Sequence, residues 1–154
     1  MNKYDEALLK LGLTLPTPMV PAASFSPYVK SGDLVFVSGQ LPIVNGKVQF
    51  IGKLGRDFTV EQGQEAAQLC ALQVLAHANH ICEGDLDRVV RCVRLGGFIN
   101  SIPEFTEQPQ VMNGASDLLL AVLGDRGRHA RAAVGVCSLP YGVAVEVEGC
   151  FEIA

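Results

Sequence analysis

The chain has no tryptophan, and its 154 residues include only three tyrosines and seven phenylalanines. A surface of aromatic rings interleaved with cations, as base stacking on nucleic acid requires, is therefore absent. Charge is scarce as well: Asp, Glu, Lys and Arg make up 18% of the residues, below the roughly 25% usual in soluble domains. The net charge is −4, and the basic residues are scattered, with Arg126, Arg128 and Arg131 beside Asp125 as their densest group. That balance argues against nucleic acid as the main partner.

Histidines number three. His77 and His80 are spaced for one helix face but lack an acidic or thiol third ligand nearby, so no metal site is expected. The five cysteines are odd in number and widely spaced, with no Cys-x-x-Cys pair. They sit among apolar residues, which predicts buried free thiols and a reducing, cytoplasmic setting. No apolar run approaches the ~20 residues that span a bilayer, and the polar start lacks a secretion signal's apolar core, so no membrane partner is expected. There is no Gly-x-Ser-x-Gly elbow and no phosphate-binding loop, and Gly52-Lys-Leu-Gly55 is too short for a dinucleotide fingerprint. Any catalysis falls to Arg, Glu, hydroxyl and backbone groups, with no cofactor called for.

What the chain does have is apolar bulk, 49% of its residues. One domain over 1–154 is expected, and so lean a charged surface predicts a homo-oligomer that covers part of it. Asp5 to Leu11 reads as a short amphipathic helix, ended by Gly12 and a proline-rich lead-in over 15–21. Tyr28–Ser31 and Leu34–Ser38 read as strands around a Gly32-Asp33 turn, and Asn45-Gly46 is a strong hairpin signal. Thr59 and Gln62 form a capping-box pattern before a helix running to about Cys82, with Gly84 placed to end it. Arg88–Phe98 is β-branched and predicts a strand. A loop opened by Pro103 and a helix over Val111–Leu123, stopped by Gly124, come next. The last two strands are expected at about 130–137 and 142–153, joined through Leu139-Pro140-Tyr141-Gly142. This order indicates an α+β sandwich with helices on one sheet face.

Arg131 and Glu146 stand out in that apolar C-terminal third. Along the last strand Val143, Val145, Val147, Phe151 and Ile153 fall on one face, and Ala144, Glu146, Glu148, Cys150 and Glu152 on the other. Arg131 shares a face with Ala133, Gly135 and Cys137, small residues that leave room beside a guanidinium. Arg is well shaped to grip a carboxylate through two parallel hydrogen bonds. A small carboxylate-bearing ligand and a structural salt bridge to a Glu are both open on the residues alone.

Four ordered motifs resemble the Rid/YjgF family of reactive intermediate deaminases, historically labelled translation inhibitors or L-PSP endoribonucleases. They are Pro27-Tyr28-Val29-Lys30, Val37-Ser38-Gly39-Gln40-Leu41-Pro42, the run from Arg131 to Pro140, and Val145-Glu146-Val147-Glu148. The resemblance spans roughly 22–153 and is closest to a longer subgroup with an N-terminal helix. It implies a chorismate-mutase-like mixed sheet with two main helices on one face, a homotrimer with ligand sites in the clefts between subunits, and no cofactor. It also implies hydrolysis of 2-imino or 2-enamino acids to 2-oxo acids and ammonia. The alternatives are a non-catalytic trimer that binds small carboxylate metabolites and, more remotely, an endoribonuclease. By resemblance Arg131 is the carboxylate clamp and Glu146 the water-orienting acid. Tyr28, Ser38, Gly39 and Asn113 are then ligand-facing positions. Two departures stand against the archetype: Ala133 replaces a frequent cysteine, and the segment 102–128 is longer.

Overall fold

The computed structural model describes residues 1–19 and 23–154; Val20 and Pro21, the end of the proline-rich lead-in, lie outside the described residues together with Ala22. Helix α1 (Lys3–Lys10) begins at Asn2, whose side chain accepts the Tyr4 and Asp5 amides, two donors that helix geometry leaves unpaired. Strands β1 (Tyr28–Ser31) and β2 (Leu34–Gln40) form an antiparallel pair closed by Ser31 opposite Leu34. A separate two-residue ladder, β3 (Ile43–Val44) with β4 (Lys47–Val48), turns at Asn45 and Gly46. Both have positive φ, 51° and 77°, which explains why Asn-Gly occupies that turn.

Helix α2 (Val60–Ile81) opens with the expected capping box of Thr59 and Gln62. Strand β5 (Val89–Asn100) precedes helix α3 (Gln108–Leu123). That helix starts three residues before the expected Val111, because Pro109 is accommodated in its first turn, where a missing amide hydrogen costs nothing. Strands β6 (Ala130–Val136) and β7 (Val145–Ile153) close the chain.

The main sheet has the order β1-β2-β7-β5-β6. The last two strands are therefore not partners, since β5 lies between them. Strand β6 runs parallel to β5 and β7 runs antiparallel to it. A parallel pair needs a long crossover, and α3 supplies it. The Leu139–Gly142 segment is the link that carries the chain across β5.

One side of the sheet is covered by α2 and α3. Val35, Leu95, Ile99, Val145, Val147 and Phe151 pack there against Leu75, Met112 and Leu119 in one core. Helix α1 is tied down by Tyr4, whose hydroxyl bonds Asp87 and accepts from Arg126 Nη2 at 2.5 Å. The opposite face is uncovered within the chain: Val29, Phe36 and Val134 are 57%, 49% and 46% exposed, an apolar face of the kind that protein partners cover.

Candidate functional site

At one end of β2, Val37 pairs with Gly149 but Gln40 pairs with Val147, three residues against two. The extra residue makes a bulge at Ser38-Gly39. Ser38 is held by its amide donating to the Pro27 carbonyl (2.9 Å) and its hydroxyl to the Ser26 carbonyl (2.7 Å). Gln40 Nε2 donates to the Ser38 carbonyl at 2.9 Å. Gly39 faces Glu146 so closely that a Cβ there would collide with the carboxylate. Glu146 is half-buried, pairs across the sheet with Phe98, and belongs to the uncovered face. Burial pushes its pKa above the ordinary carboxylate value, and the nearby Glu148 charge adds to the push.

Arg131 belongs to the other face. It pairs with Leu95, a fully buried residue of the helix side, so its side chain meets α3. Nη1 donates to Ser116 Oγ at 3.1 Å and Nη2 to the Pro109 carbonyl at 3.0 Å. Ser116 Oγ also bonds His129 Nε2 at 2.8 Å, and His129 Nδ1 bonds the Gly127 carbonyl at 2.6 Å. A carbonyl can only accept, so Nδ1 carries the hydrogen, and in the neutral ring Nε2 accepts from the serine. The hydroxyl is then free to accept from Arg131. Among the described residues no carboxylate lies within ion-pair distance of this guanidinium, so the salt-bridge reading is not realised in the chain. Its acceptors are neutral, and three of its five N–H groups remain.

Asn113 is exposed on α3, four residues after Pro109 and three before Ser116. Helical spacing sets it on the same stripe as the two groups that hold Arg131. Tyr28 lies elsewhere: its ring packs edge-on against His77 of α2, with centroids 6.1 Å apart, and near His80 at 6.3 Å.

The six candidates thus form three groups: Ser38, Gly39 and Glu146; Arg131 and Asn113; and Tyr28 by itself. Arg131 and Glu146 project from opposite faces of one sheet, so a single chain does not close both around one small molecule. Sequence reasoning missed Ser116 and gave His129 no role, because only the packing of α3 over β6 brings them to Arg131. The cysteine expectation needs one correction. All five thiols are free, but Cys137 is exposed while the other four are buried, because it follows the end of β6. A cavity of about 600 Å³ near the end of β6 is lined by none of the six candidates. No group of three His, Cys, Asp or Glu suited to a metal occurs among the described residues, and no described helix is long and apolar enough to cross a membrane.

A mixed α+β sheet covered on one side by two helices, with an arginine on its edge strand and a glutamate beside a Ser-Gly bulge, defines the YjgF-like class. The family model described as "YjgF/chorismate mutase-like, putative endoribonuclease" matches residues 5–147, and the chain belongs to that family. Protein TCP17 of Trypanosoma cruzi is 51% identical over 147 residues, 95% of this chain and 91% of that protein. The crystal structure of Atu1372, a protein of unknown function from Agrobacterium tumefaciens, is 46% identical with a TM-score of 0.94, covering 99% of this chain and 93% of that one. A structure from Shewanella oneidensis described as a "putative endoribonuclease" is 34% identical with a TM-score of 0.93, covering 99% and 100%.

Proposed function

We propose that the protein hydrolyses small 2-imino or 2-enamino acids to 2-oxo acids and ammonia, in clefts between the subunits of a homotrimer in the cytoplasm. The observation that carries this reading is the Arg131 guanidinium, held by two neutral acceptors and by no carboxylate among the described residues. A cation so placed is satisfied in geometry but not in charge, and a substrate carboxylate supplies the missing anion. The opposite placement of Arg131 and Glu146 supports a site built from two chains, with the arginine of one meeting the glutamate of its neighbour. The uncovered apolar face around Phe36 and Val134 supports the same assembly.

In the proposed reaction Arg131 fixes the carboxylate, and Glu146 orients a water and takes its proton as oxygen attacks the imine carbon. The same carboxyl then gives that proton to the departing nitrogen. As the C–N bond breaks, the freed carboxylate takes the remaining hydroxyl proton, the C=O bond forms, and one water is consumed per ammonia released. A raised pKa suits this double duty, because a carboxyl shifted toward neutrality both accepts and donates. The arrangement calls on no further group.

A second reading, a non-catalytic carboxylate binder, is favoured by Ala133, which stands where the deaminase archetype often has cysteine. Ribonuclease activity, which the descriptions of some relatives suggest, is disfavoured by the net charge of −4. The test is release of pyruvate from iminopyruvate generated in situ, with Arg131→Ala as control. Acceleration by the wild type that the variant lacks is expected. Rates equal to buffer, with 2-oxobutyrate still raising the wild-type melting temperature, would transfer the assignment to the binder.

A further inference from the structure

The cavity near the end of β6 joins features that the Arg131 reading leaves unused. Lys53 lines it, with Nζ donating to Asn100 Oδ1 at 2.6 Å and to the Cys137 carbonyl at 2.5 Å. Asn100 is 3% exposed, and its amide donates to the Val143 and Gly52 carbonyls at 3.1 and 3.3 Å. That fixes its oxygen toward the lysine. Both Lys53 acceptors are neutral, and among the described residues no carboxylate lies within ion-pair distance of its Nζ, so the ammonium keeps one donor at the cavity wall, beside the Arg56–Asp57 pair.

Ser101, next in the chain to Asn100, also lines the cavity; it is 8% exposed, and its hydroxyl has no hydrogen-bond partner among the described residues. Its oxygen opens onto the cavity, so a polar group of an occupant, or water, can pair with it there. Gly135 lines it as well. A Cβ there would come within 3.0 Å of Ser101 Oγ and 2.9 Å of Gln108 Nε2, so the absent side chain is what opens the space between these two polar groups. Ile102 and Phe105 supply apolar walls. The volume, about 600 Å³, is within the ~300–1,000 Å³ typical of small-molecule sites.

We infer that this cavity is a second ligand site, separate from Arg131, that takes a small carboxylate with a flat apolar body. Lys53 meets the carboxylate, Ser101 hydrogen-bonds it, and Ile102 and Phe105 flank the apolar part. Arg131 does not line this cavity: its guanidinium is engaged by Ser116 and the Pro109 carbonyl of α3, whereas Lys53 is engaged by Asn100 and the Cys137 carbonyl. The second site is thus loaded independently of the first, as a site for product or a regulatory acid would be.

The test is calorimetric titration of the full chain with benzoate and, separately, with inorganic phosphate. Benzoate is expected to bind the Arg131→Ala variant at one site per chain. Adding Lys53→Met or Gly135→Ala to that background is expected to weaken binding at least tenfold. Gly135→Ala puts a methyl between Ser101 and Gln108 and leaves the lysine in place, so the two variants check each other if one folds poorly. Loss of all benzoate binding in Arg131→Ala, or undiminished binding in both double variants, overturns the second site. Binding of phosphate in place of benzoate overturns the carboxylate assignment. Iminopyruvate turnover by the wild type is read separately, so failure here leaves the deaminase reading standing.

Discussion

The Cβ that Gly39 lacks would fall on the carboxylate of Glu146. The bulge and the acid therefore fit only while that position is glycine. Because the obstacle is the far end of a flexible side chain, Gly39→Ala should displace the acid at small structural cost. Stability is expected to change within about 0.5 kcal/mol, the range of surface substitutions, while iminopyruvate turnover falls at least tenfold. A melting curve and a rate measurement on the same preparation check it. A large drop in stability with normal turnover would show that Gly39 serves the fold alone.

Glu146 also ties stability to pH. Its folded pKa lies above the ordinary 4.5, through burial first and Glu148 second. The native state therefore holds this proton more tightly than the unfolded chain does. Its contribution is most favourable below 4.5 and declines as pH rises through the window from that value to the raised folded one. Glu146→Gln removes the titration. The variant should lose that decline and be more stable than wild type above the window, as melting temperature against pH would record. An unchanged profile would show that the carboxyl is hydrated in the assembled protein.

The thiols should divide four to one. Burial pushes Cys92 up to about 12 and raises Cys70, Cys82 and Cys150 as well, and reactivity requires the thiolate. Cys137 is exposed beside the cavity. A thiol reagent at neutral pH should modify one cysteine per native chain and five in denaturant. Saturating benzoate should slow the native reaction if it seats in the neighbouring cavity.

Gly114 tests the contact between α2 and α3. A Cβ there would strike the Gln64 backbone carbonyl, and backbone cannot step aside as a side chain does. Helix propensity alone favours Gly114→Ala by about 0.5–1 kcal/mol, whereas overpacking costs about 1–3 kcal/mol. The second effect is expected to win, giving a lower melting temperature. A rise would mean that the helices separate freely.

Much of the fold was legible because its signals are local. The Thr59 capping box, the Asn45-Gly46 turn and the two-residue alternation of β7 each arise within a few neighbouring residues. The family resemblance supplied the candidate residues, and the alternation correctly assigned Glu146 and Val147 to opposite faces. The pairing of the last strands was not legible, since Leu139–Gly142 is equally short whether it closes a hairpin or crosses a neighbouring strand.

The sequence by itself determined the order and type of the helices and strands, and which side of the last strand is apolar, because backbone preference and side-chain period act over one or two turns. Only the tertiary structure decided that β5 separates β6 from β7, that Ser116 and His129 hold Arg131, and that Gly135 opens a cavity beside Lys53. Those outcomes depend on contacts between segments far apart in the chain, where burial against a partner, not local preference, selects the arrangement.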